Sequence, residues 1–197
     1  MLASQMTRRL WVAKTFEGAV HTVLDDVIAL LGAEYGNVQL LDGDELVIAA
    51  QRGLSPDFLK TFRRVGKDDG SACGRALRYG ETVIIRDVEN DLEFAAFQSD
   101  AKKAGFRSVQ STPFFTQVGN LLGMVSTHFA HAHEPTSIEI ETLKAYSDMA
   151  ADHLNNLLGD VPLATKAREM SEALYTGTLG PTGLAAEPRS PGIFTPL

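Results

Sequence analysis

The stretch Gly105-Phe-Arg-Ser-Val-Gln-Ser-Thr-Pro-Phe-Phe-Thr-Gln-Val-Gly-Asn-Leu-Leu-Gly-Met-Val-Ser-Thr-His-Phe129 sets the architecture of this 197-residue chain. Two segments rich in strand-forming residues flank Val118-Gly119, and a two-residue loop that contains glycine indicates a β-hairpin. This loop fixes which residues lie opposite each other on the two strands. The predicted pairs are Gln110 with Thr127, Thr112 with Val125, Val109 with His128, and Pro113 with Met124.

Successive side chains of a strand point to opposite faces, so the hairpin has two surfaces. The first surface is largely apolar and is expected to pack against the terminal helices; it carries Val109, Ser111, Pro113, Phe115, Leu122, Met124, Ser126 and His128. The second surface is mixed and is expected to line a ligand cavity; it carries Gln110, Thr112, Phe114, Gly123, Val125, Thr127 and Phe129. Neither surface carries a catalytic signature.

The composition limits the classes of function. A hydrophobic content of 44% with 22% charged residues is typical of a soluble globular domain. The net charge of −7 argues against nucleic acid as the main partner. One cysteine excludes an intramolecular disulfide and a multi-cysteine metal site. Neither a signal peptide nor an apolar run long enough for a membrane is evident, so a cytoplasmic location is predicted.

Helix signals lie near both ends of the chain. Apolar residues at helical spacing predict a helix from Phe16 to Gly32. Thr136 and Glu139 are spaced as a capping box, which opens a last helix that ends at Gly159. Together with strand pairs joined by tight turns, these helices predict an α+β domain on a largely antiparallel sheet.

The segments between the terminal helices are shorter. Residues 37–42 and 45–51 are predicted to form a second hairpin. Ser55 and Pro56 are predicted to start a short helix, as N-cap and first helical residue. The segment 55–105 is expected to cover the cavity.

The chain divides into three parts by composition. Residues 1–15 are assigned to an N-terminal extension, 16–158 to the folded domain, and 159–197 to a Pro/Gly-rich tail that is expected to be flexible. A helix within 166–174 is left open. Three leucines near the end of the last helix exceed what one sheet face covers and predict a homodimer through the terminal helices: Leu154, Leu157 and Leu158.

Several blocks of sequence follow one another in an order that is known from a protein family. They are Gly36-Asn-Val-Gln-Leu-Leu-Asp42, Gln51-Arg-Gly-Leu54, Ser71-Ala-Cys-Gly-Arg-Ala-Leu77, Val83-Ile-Ile-Arg-Asp87, Ser108-Val-Gln-Ser-Thr-Pro113 and Leu121-Leu-Gly-Met-Val-Ser-Thr-His-Phe129. Over about residues 16–158 the chain resembles GAF domains, most closely those of bacterial sensor histidine kinases. The resemblance implies a six-stranded antiparallel sheet, with helices on one face and a pocket on the other, and often a dimer.

The resemblance does not identify a ligand or cofactor. GAF domains bind cyclic nucleotides, bilins, haem, nitrate or other small molecules, or serve only as dimerising spacers. No kinase or other output domain follows in the sequence, so a free-standing GAF protein is expected. Its expected partners are an unidentified small molecule, a second copy of the chain and a signalling protein. Nucleic acid and membranes are not expected as partners.

The candidate ligand-binding residues are polar groups on the cavity surface and in a turn above it. An unpaired buried polar group costs about 1–3 kcal/mol, so a run of them on a strand face indicates a polar-lined cavity. The candidates are Gln39, Gln110, Thr112, Thr127 and Phe129 from the sheet, and Ser71, Cys73 and Arg75 from the turn.

Two further groups of residues have competing interpretations. The segment 68–74 could cradle an anion with its free N–H groups, or its carboxylates could cap the following helix. His128, His131, His133 and Glu134 suggest metal ligands, but a solvated loop is favoured. Arg86 and Arg107 could provide a counter-charge or form surface ion pairs.

Cys73 defines the main alternative function. Its position at a helix start could lower the pKa of the thiol, or the residue could simply pack. GAF-type free methionine sulfoxide reductases use several cysteines, and bilin-binding cysteines are usually followed by His, whereas Gly74 follows here. The leading interpretation is a non-catalytic sensory and signal-transduction module that binds a small molecule, dimerises, or both. The alternatives are a redox sensor or enzyme acting through Cys73 and a purely structural dimerisation module.

Overall fold

The computed structural model describes residues 2–177, which fold as helices around one sheet. The helices are α1 Leu2–Val12, α2 Phe16–Leu31, α3 Pro56–Thr61, α4 Ala72–Tyr79, α5 Gln98–Ala104, α6 Ser137–Leu158 and α7 Leu163–Thr176, with a 3-10 turn at Ala95–Phe97. The strands are β1 Tyr35–Asp42, β2 Glu45–Arg52, β3 Arg64–Val65, β4 Val83–Ile85, β5 Ser108–Phe115 and β6 Leu121–Phe129. No helix in this range is long and apolar enough to cross a bilayer.

The strands form one six-stranded sheet in the order β3-β2-β1-β6-β5-β4, and every neighbouring pair is antiparallel. This confirms the predicted fold class. The predicted helix signals are present as well: Thr136 and Glu139 form a complete capping box at the start of α6, and Ser55 caps α3 with Pro56 at its first position.

The central hairpin has the predicted register, although its turn differs from the prediction. The loop has three residues, Gln117–Gly119: Thr116 N donates to Asn120 O (3.0 Å), and Gly119 takes a φ of 84°. An extra residue at Leu122 forms a bulge, since Phe115 pairs with Leu121 whereas Phe114 pairs with Gly123. The longer loop and the bulge each shift the register by one residue and cancel, so Gln110 lies opposite Thr127.

The assignment of the two hairpin surfaces is wrong and is reversed in the structure. Phe114, Val125 and Phe129 belong to the core that contains the terminal helices, whereas Val109 and Met124 belong to a second core on the opposite face. By strand alternation, the polar side chains expected in the cavity lie instead on the helix side: Gln110, Thr112 and Thr127.

The cause of this reversal is that the apolar bulk of the second core comes from outside the sheet. Residues between β2 and β5 supply Phe58, Phe62, Phe94 and Phe106, so the sheet can present small and polar side chains there. On β1 the prediction holds, because Val38 and Leu40 lie in the helix-side core. A count of apolar residues on each strand face therefore does not identify the face covered by the terminal helices.

The N-terminal segment, assigned to an extension, is the docked helix α1. Met6 and Leu10 are buried in the helix-side core. Arg9 Nη1 lies 3.0 Å from a carboxylate oxygen of buried Asp26, which also accepts a hydrogen bond from Tyr146 Oη (2.6 Å). Burial raises the pKa of Asp26, and the contacts with Tyr146 and Arg9 oppose that rise. This cluster joins α1, α2 and α6.

The first part of the expected tail is also ordered, as α7. Ala167 and Met170 are buried in the helix-side core, whereas Leu174 packs against the second core. Tyr175 Oη donates to the carbonyl oxygen of Leu59 in α3 (2.7 Å). Helix α7 therefore passes along the β1–β2 part of the sheet and joins both cores. The remainder of the predicted tail, residues 178–197, lies outside the described residues.

The leucines that suggested a dimer are covered within the chain. Leu154 and Leu158 lie in the same core as residues of α1 and α7, and Leu157 packs against that core. Helix α6 packs against α2 and β5 and also against α1, which the sequence analysis did not assign to the domain. The leucine stripe alone therefore no longer supports a dimer interface.

Candidate functional site

A small cavity lies on the sheet face opposite α2 and α6. Its floor is formed by polar side chains of β1, β5 and β6: Asn37, Gln39, Ser111, Ser126 and His128. Its walls are apolar and come mainly from the segment between β2 and β5: Phe58, Phe62, Ala72, Phe94, Phe106 and Val109, with Ser71 and Cys73 beside them. The cavity has a volume of about 20 Å³, enough for a single water molecule.

Two capped helix starts hold the walls in place. Ser55 Oγ accepts from Phe58 N (3.2 Å) and orients α3, whose Phe58 and Phe62 face the cavity. Ser71 Oγ accepts from Gly74 N (3.1 Å) at the start of α4. Asp69 Oδ1 in turn accepts from Ser71 N (2.9 Å) and Ser71 Oγ (2.6 Å). The N–H groups of this turn are thus partly occupied by the chain's own side chains, which favours capping over an anion cradle.

Several polar atoms of the cavity floor have no partner. Gln39 is 0% exposed, and neither its Nε2 nor its Oε1 makes a hydrogen bond with any described residue. The same holds for Asn37 Oδ1 and His128 Nδ1. The hydroxyls of Ser111 and Ser126, by contrast, bond to each other at 2.7 Å. Since an unmade buried hydrogen bond costs about 1–3 kcal/mol, the floor favours an occupant that both donates and accepts.

The cavity is electrically neutral. Burial lowers the pKa of His128 to about 3, so its imidazole carries no charge at neutral pH. Phe58 and Phe106 contact this ring edge-to-face, at centroid distances of 5.2 and 4.7 Å. The lining contains no Asp, Glu, Lys or Arg. This environment disfavours a charged ligand because such a group would be buried without a counter-ion.

Cys73 lies at the edge of this cavity as a protonated thiol. It is 9% exposed, and burial raises its pKa to about 11. Its sulfur lies 3.3 Å from Ser71 Oγ, and the Asp69 carboxylate raises the pKa further. The helix start does not compensate for burial, so the thiolate that nucleophilic chemistry requires is scarce at neutral pH.

The structure brings together three of the eight candidate residues: Gln39, Ser71 and Cys73 line the cavity. Gln110, Thr112, Thr127 and Phe129 lie on the other face of the sheet, where Phe129 stacks on His133 with ring centroids 3.9 Å apart. Arg75 points away from the cavity, with its Nη1 2.9 Å from Asp91 Oδ1 and its Nε 3.4 Å from Glu93 Oε2.

Sequence reasoning missed Asn37, Ser111, Ser126, His128 and the four phenylalanines. The polar residues could have been identified only from the pairing of β1 with β6. Gln39 pairs with Met124 across β1 and β6, so alternation from Met124 places Ser126 and His128 on the Gln39 face. That pairing joins strands far apart in sequence and without a turn between them, so no local pattern sets it.

Of the histidine and arginine candidates, His131, Arg86 and Arg107 lie apart from the cavity. His128 faces the cavity, whereas His131 lies 3.9 Å from Glu34 on the surface. Among residues 2–177, no group of three or more His, Cys, Asp or Glu side chains is placed to hold a metal ion. Arg86 pairs with Glu134 and Arg107 with Asp87, both at 2.8 Å, as exposed ion pairs.

Comparisons with known proteins agree with this architecture. The family model described as GAF domain matches residues 13–155. A domain of a two-component sensor histidine kinase protein from Sinorhizobium meliloti superposes with a TM-score of 0.59 at 16% identity, covering 75% of this chain and 96% of that one. No curated protein sequence gives a significant match.

Two other solved structures share the fold. The chromophore-binding domain of a bacteriophytochrome from R. palustris has a TM-score of 0.61 at 16% identity, covering 79% of this chain and 61% of that one. A free methionine-R-sulfoxide reductase from Neisseria meningitidis, in complex with its substrate, has a TM-score of 0.58 at 20% identity, covering 85% and 89%. At these low sequence identities, the structural similarity shows a common fold and nothing more. Because the family model covers more than half of the sequence, the chain belongs to the GAF domain family.

Proposed function

We propose that this GAF domain is a non-catalytic sensory module that binds a small, uncharged molecule in the cavity on its Gln39 face. The observation that carries the proposal is the buried Gln39 amide, which has both a donor and an acceptor without a partner. The bacteriophytochrome domain and the reductase also support it, since the one is described as chromophore-binding and the other holds its substrate.

The lining narrows the class of ligand. A flat molecule would pack between Phe58, Phe62, Phe94 and Phe106, and its polar edge would face Gln39 and its neighbours. Because the space admits about one water molecule, a larger ligand requires α3 and the segment before β5 to move outward. We expect such a ligand to be a neutral heteroaromatic compound.

The proposal is tested with two glutamines on opposite faces of the sheet. Gln39 and Gln110 are both buried with unpartnered amides, but only Gln39 lines the cavity. Ligand-observed NMR with neutral heteroaromatic fragments should detect binding to the wild type. Gln39→Met should weaken binding at least about fivefold, because the ligand loses hydrogen bonds worth about 1–3 kcal/mol.

Gln110→Met is the matched control and should bind the fragments as the wild type does. Both variants remove a buried amide, so a general effect on folding would appear in both. Equal affinity in Gln39→Met and wild type would contradict the proposed site, and an equal loss in both variants would indicate a change in the whole domain.

Homodimerisation is a further part of the proposal, now supported by a different surface. Trp11 and Val12 at the end of α1 are 47% and 65% exposed. Trp11 borders a groove of about 600 Å³ that also includes Met149 and Asp152 of α6. Exposed aromatic and aliphatic side chains beside a groove are typical of an interaction surface. We place this module in the cytoplasm, where it would report to a signalling partner.

Sedimentation velocity over a concentration series tests this dimer. We expect the wild type to show a concentration-dependent dimer and Trp11→Glu to remain monomeric, because a charge would be buried in the contact. Val118→Glu is the control, since Val118 is also exposed but is not part of the groove lining. A wild type that stays monomeric throughout would contradict dimerisation and the purely structural alternative with it.

A further inference from the structure

We propose a second binding site, for a small phosphate-type oxyanion, between the edge strand β3 and α7. A surface cavity of about 110 Å³ lies there. It is lined by Val47, Arg63, Arg64, Arg168, Ser171 and Glu172. The site lies apart from the Gln39 cavity and does not depend on the function proposed for it.

The fold brings these arginines together from distant parts of the sequence. Arg63 and Arg64 lie at the start of β3, which pairs with β2 through Leu46 and Val47. Arg168 and Ser171 lie on neighbouring turns of α7, which packs against β2. Three arginines therefore line one concave surface.

Two of the three guanidinium groups keep donors available. Arg64 binds carboxylate oxygens of Glu45 (2.7 Å) and Asp42 (3.0 Å). Arg168 has only one long contact, 3.7 Å to Asp42. Arg63 stacks over the Tyr175 ring at 4.5 Å and has no carboxylate partner within residues 2–177. A guanidinium has five N–H donors, so an anion can bind Arg63 and Arg168 without breaking the pairs of Arg64.

Ser171 adds a neutral donor to the site. It is 6% exposed and lines the cavity. A hydroxyl beside two planar guanidinium groups matches the tetrahedral oxygens of a phosphate, which arginine binds in a bidentate manner. The charge of Glu172 in the lining opposes an anion, as do those of Asp42 and Glu45, which pair with Arg64 beside the cavity. Removing the charge of Glu172 should therefore strengthen anion binding, whereas removing an arginine should weaken it.

The site suits a free phosphate-bearing small molecule better than a membrane surface. The chain's net charge of −7 repels anionic lipid bilayers as a whole, whereas a small ion can be held by the N–H donors of Arg63 and Arg168. A bound oxyanion would join α7 to β3. Through Tyr175 and its hydrogen bond to Leu59, α7 is also attached to α3, a wall of the Gln39 cavity.

Titration of the 197-residue protein with inorganic phosphate, followed by calorimetry at neutral pH and constant ionic strength, tests the site. We expect saturable binding by the wild type. Arg168→Gln and Arg63→Gln should each weaken it about tenfold, since a hydrogen bond to a charged group contributes about 1.5–3 kcal/mol. Glu172→Gln should tighten it about twofold to tenfold, because a like charge is removed.

Arg8→Gln is the control for net charge, because Arg8 is exposed on α1 and lies outside the site. It should bind phosphate as the wild type does. No saturable binding by the wild type, or equal weakening in Arg8→Gln and Arg168→Gln, would overturn the proposal. A second experiment distinguishes free phosphate from a lipid headgroup by cosedimentation with phosphatidylcholine vesicles that contain phosphatidic acid. Binding to these vesicles without binding of free phosphate would also overturn the proposal.

Discussion

Replacing Gly123 with alanine is expected to destabilise the domain by about 3 kcal/mol or more, enough to remove much of the stability of a typical domain. Gly123 lies in β6 opposite Leu40 of β1. A Cβ atom at this position would overlap the carbonyl oxygen of Gln39 and lie 2.9 Å from the Leu40 Cα. Both contacts are with backbone atoms of a central strand, so neither can be relieved by turning a side chain.

Urea unfolding followed by circular dichroism measures this effect, with Gly66→Ala as the control. A Cβ atom at Gly66 would meet nothing within 4 Å, so that variant should stay within about 0.5 kcal/mol of the wild type. If Gly123→Ala unfolds at the same urea concentration as the wild type, β1 and β6 do not approach as closely as described. The position of Gln39 in the floor of the cavity would then also be wrong, because Gln39 lies at this contact.

Cys73 is expected to react with a disulfide reagent at least about a hundredfold more slowly in the folded protein than in the urea-unfolded chain. Burial raises its pKa from 9.0 to about 11, and two pKa units reduce the thiolate fraction about a hundredfold below pH 9. Limited access to a side chain that is 9% exposed slows the reaction further. Release of the coloured thiol product at mildly alkaline pH gives both rates.

The unfolded chain is the internal control, because it carries the same single thiol. Slow labelling of the folded protein would agree with a packing role for Cys73, which then reacts only when the domain opens locally. Similar rates in the two states would contradict that role. Such a result would restore the redox alternative, in which this thiol acts on a substrate.

Features that depend on nearby residues could be predicted from the sequence. The cap of α3, the capping box of α6 and the pairs within the β5–β6 hairpin each depend on residues close in the chain, and the structure contains them. The face of the hairpin that the helices cover depends instead on the register of β1 against β6. That register results from packing between distant segments, which the sequence pattern did not show, and the two hairpin surfaces were therefore assigned the wrong way round.

The candidate site shows the same division. Gln39, Ser71 and Cys73 were found because a polar residue in an apolar strand and a helix start are local signals. The phenylalanines that complete the cavity come from three separate segments, and each one alone reads as an ordinary core residue. Helix α1 was missed and α7 was left open, because only packing on the rest of the domain makes their burial evident.

The bulge at Leu122 gives the sheet a position at which strand length can change by one residue. Deleting Leu122 would leave the turn at Gln117–Gly119 and the pairs beyond Gly123 in place, because the deleted residue is the one without a partner. A deletion between Gly123 and Thr127 would move the side chains on one side of it to the other face and take His128 out of register with the cavity. Among related sequences, one-residue differences in length within this strand should therefore concentrate at the bulge, where they leave the Gln39 cavity unchanged.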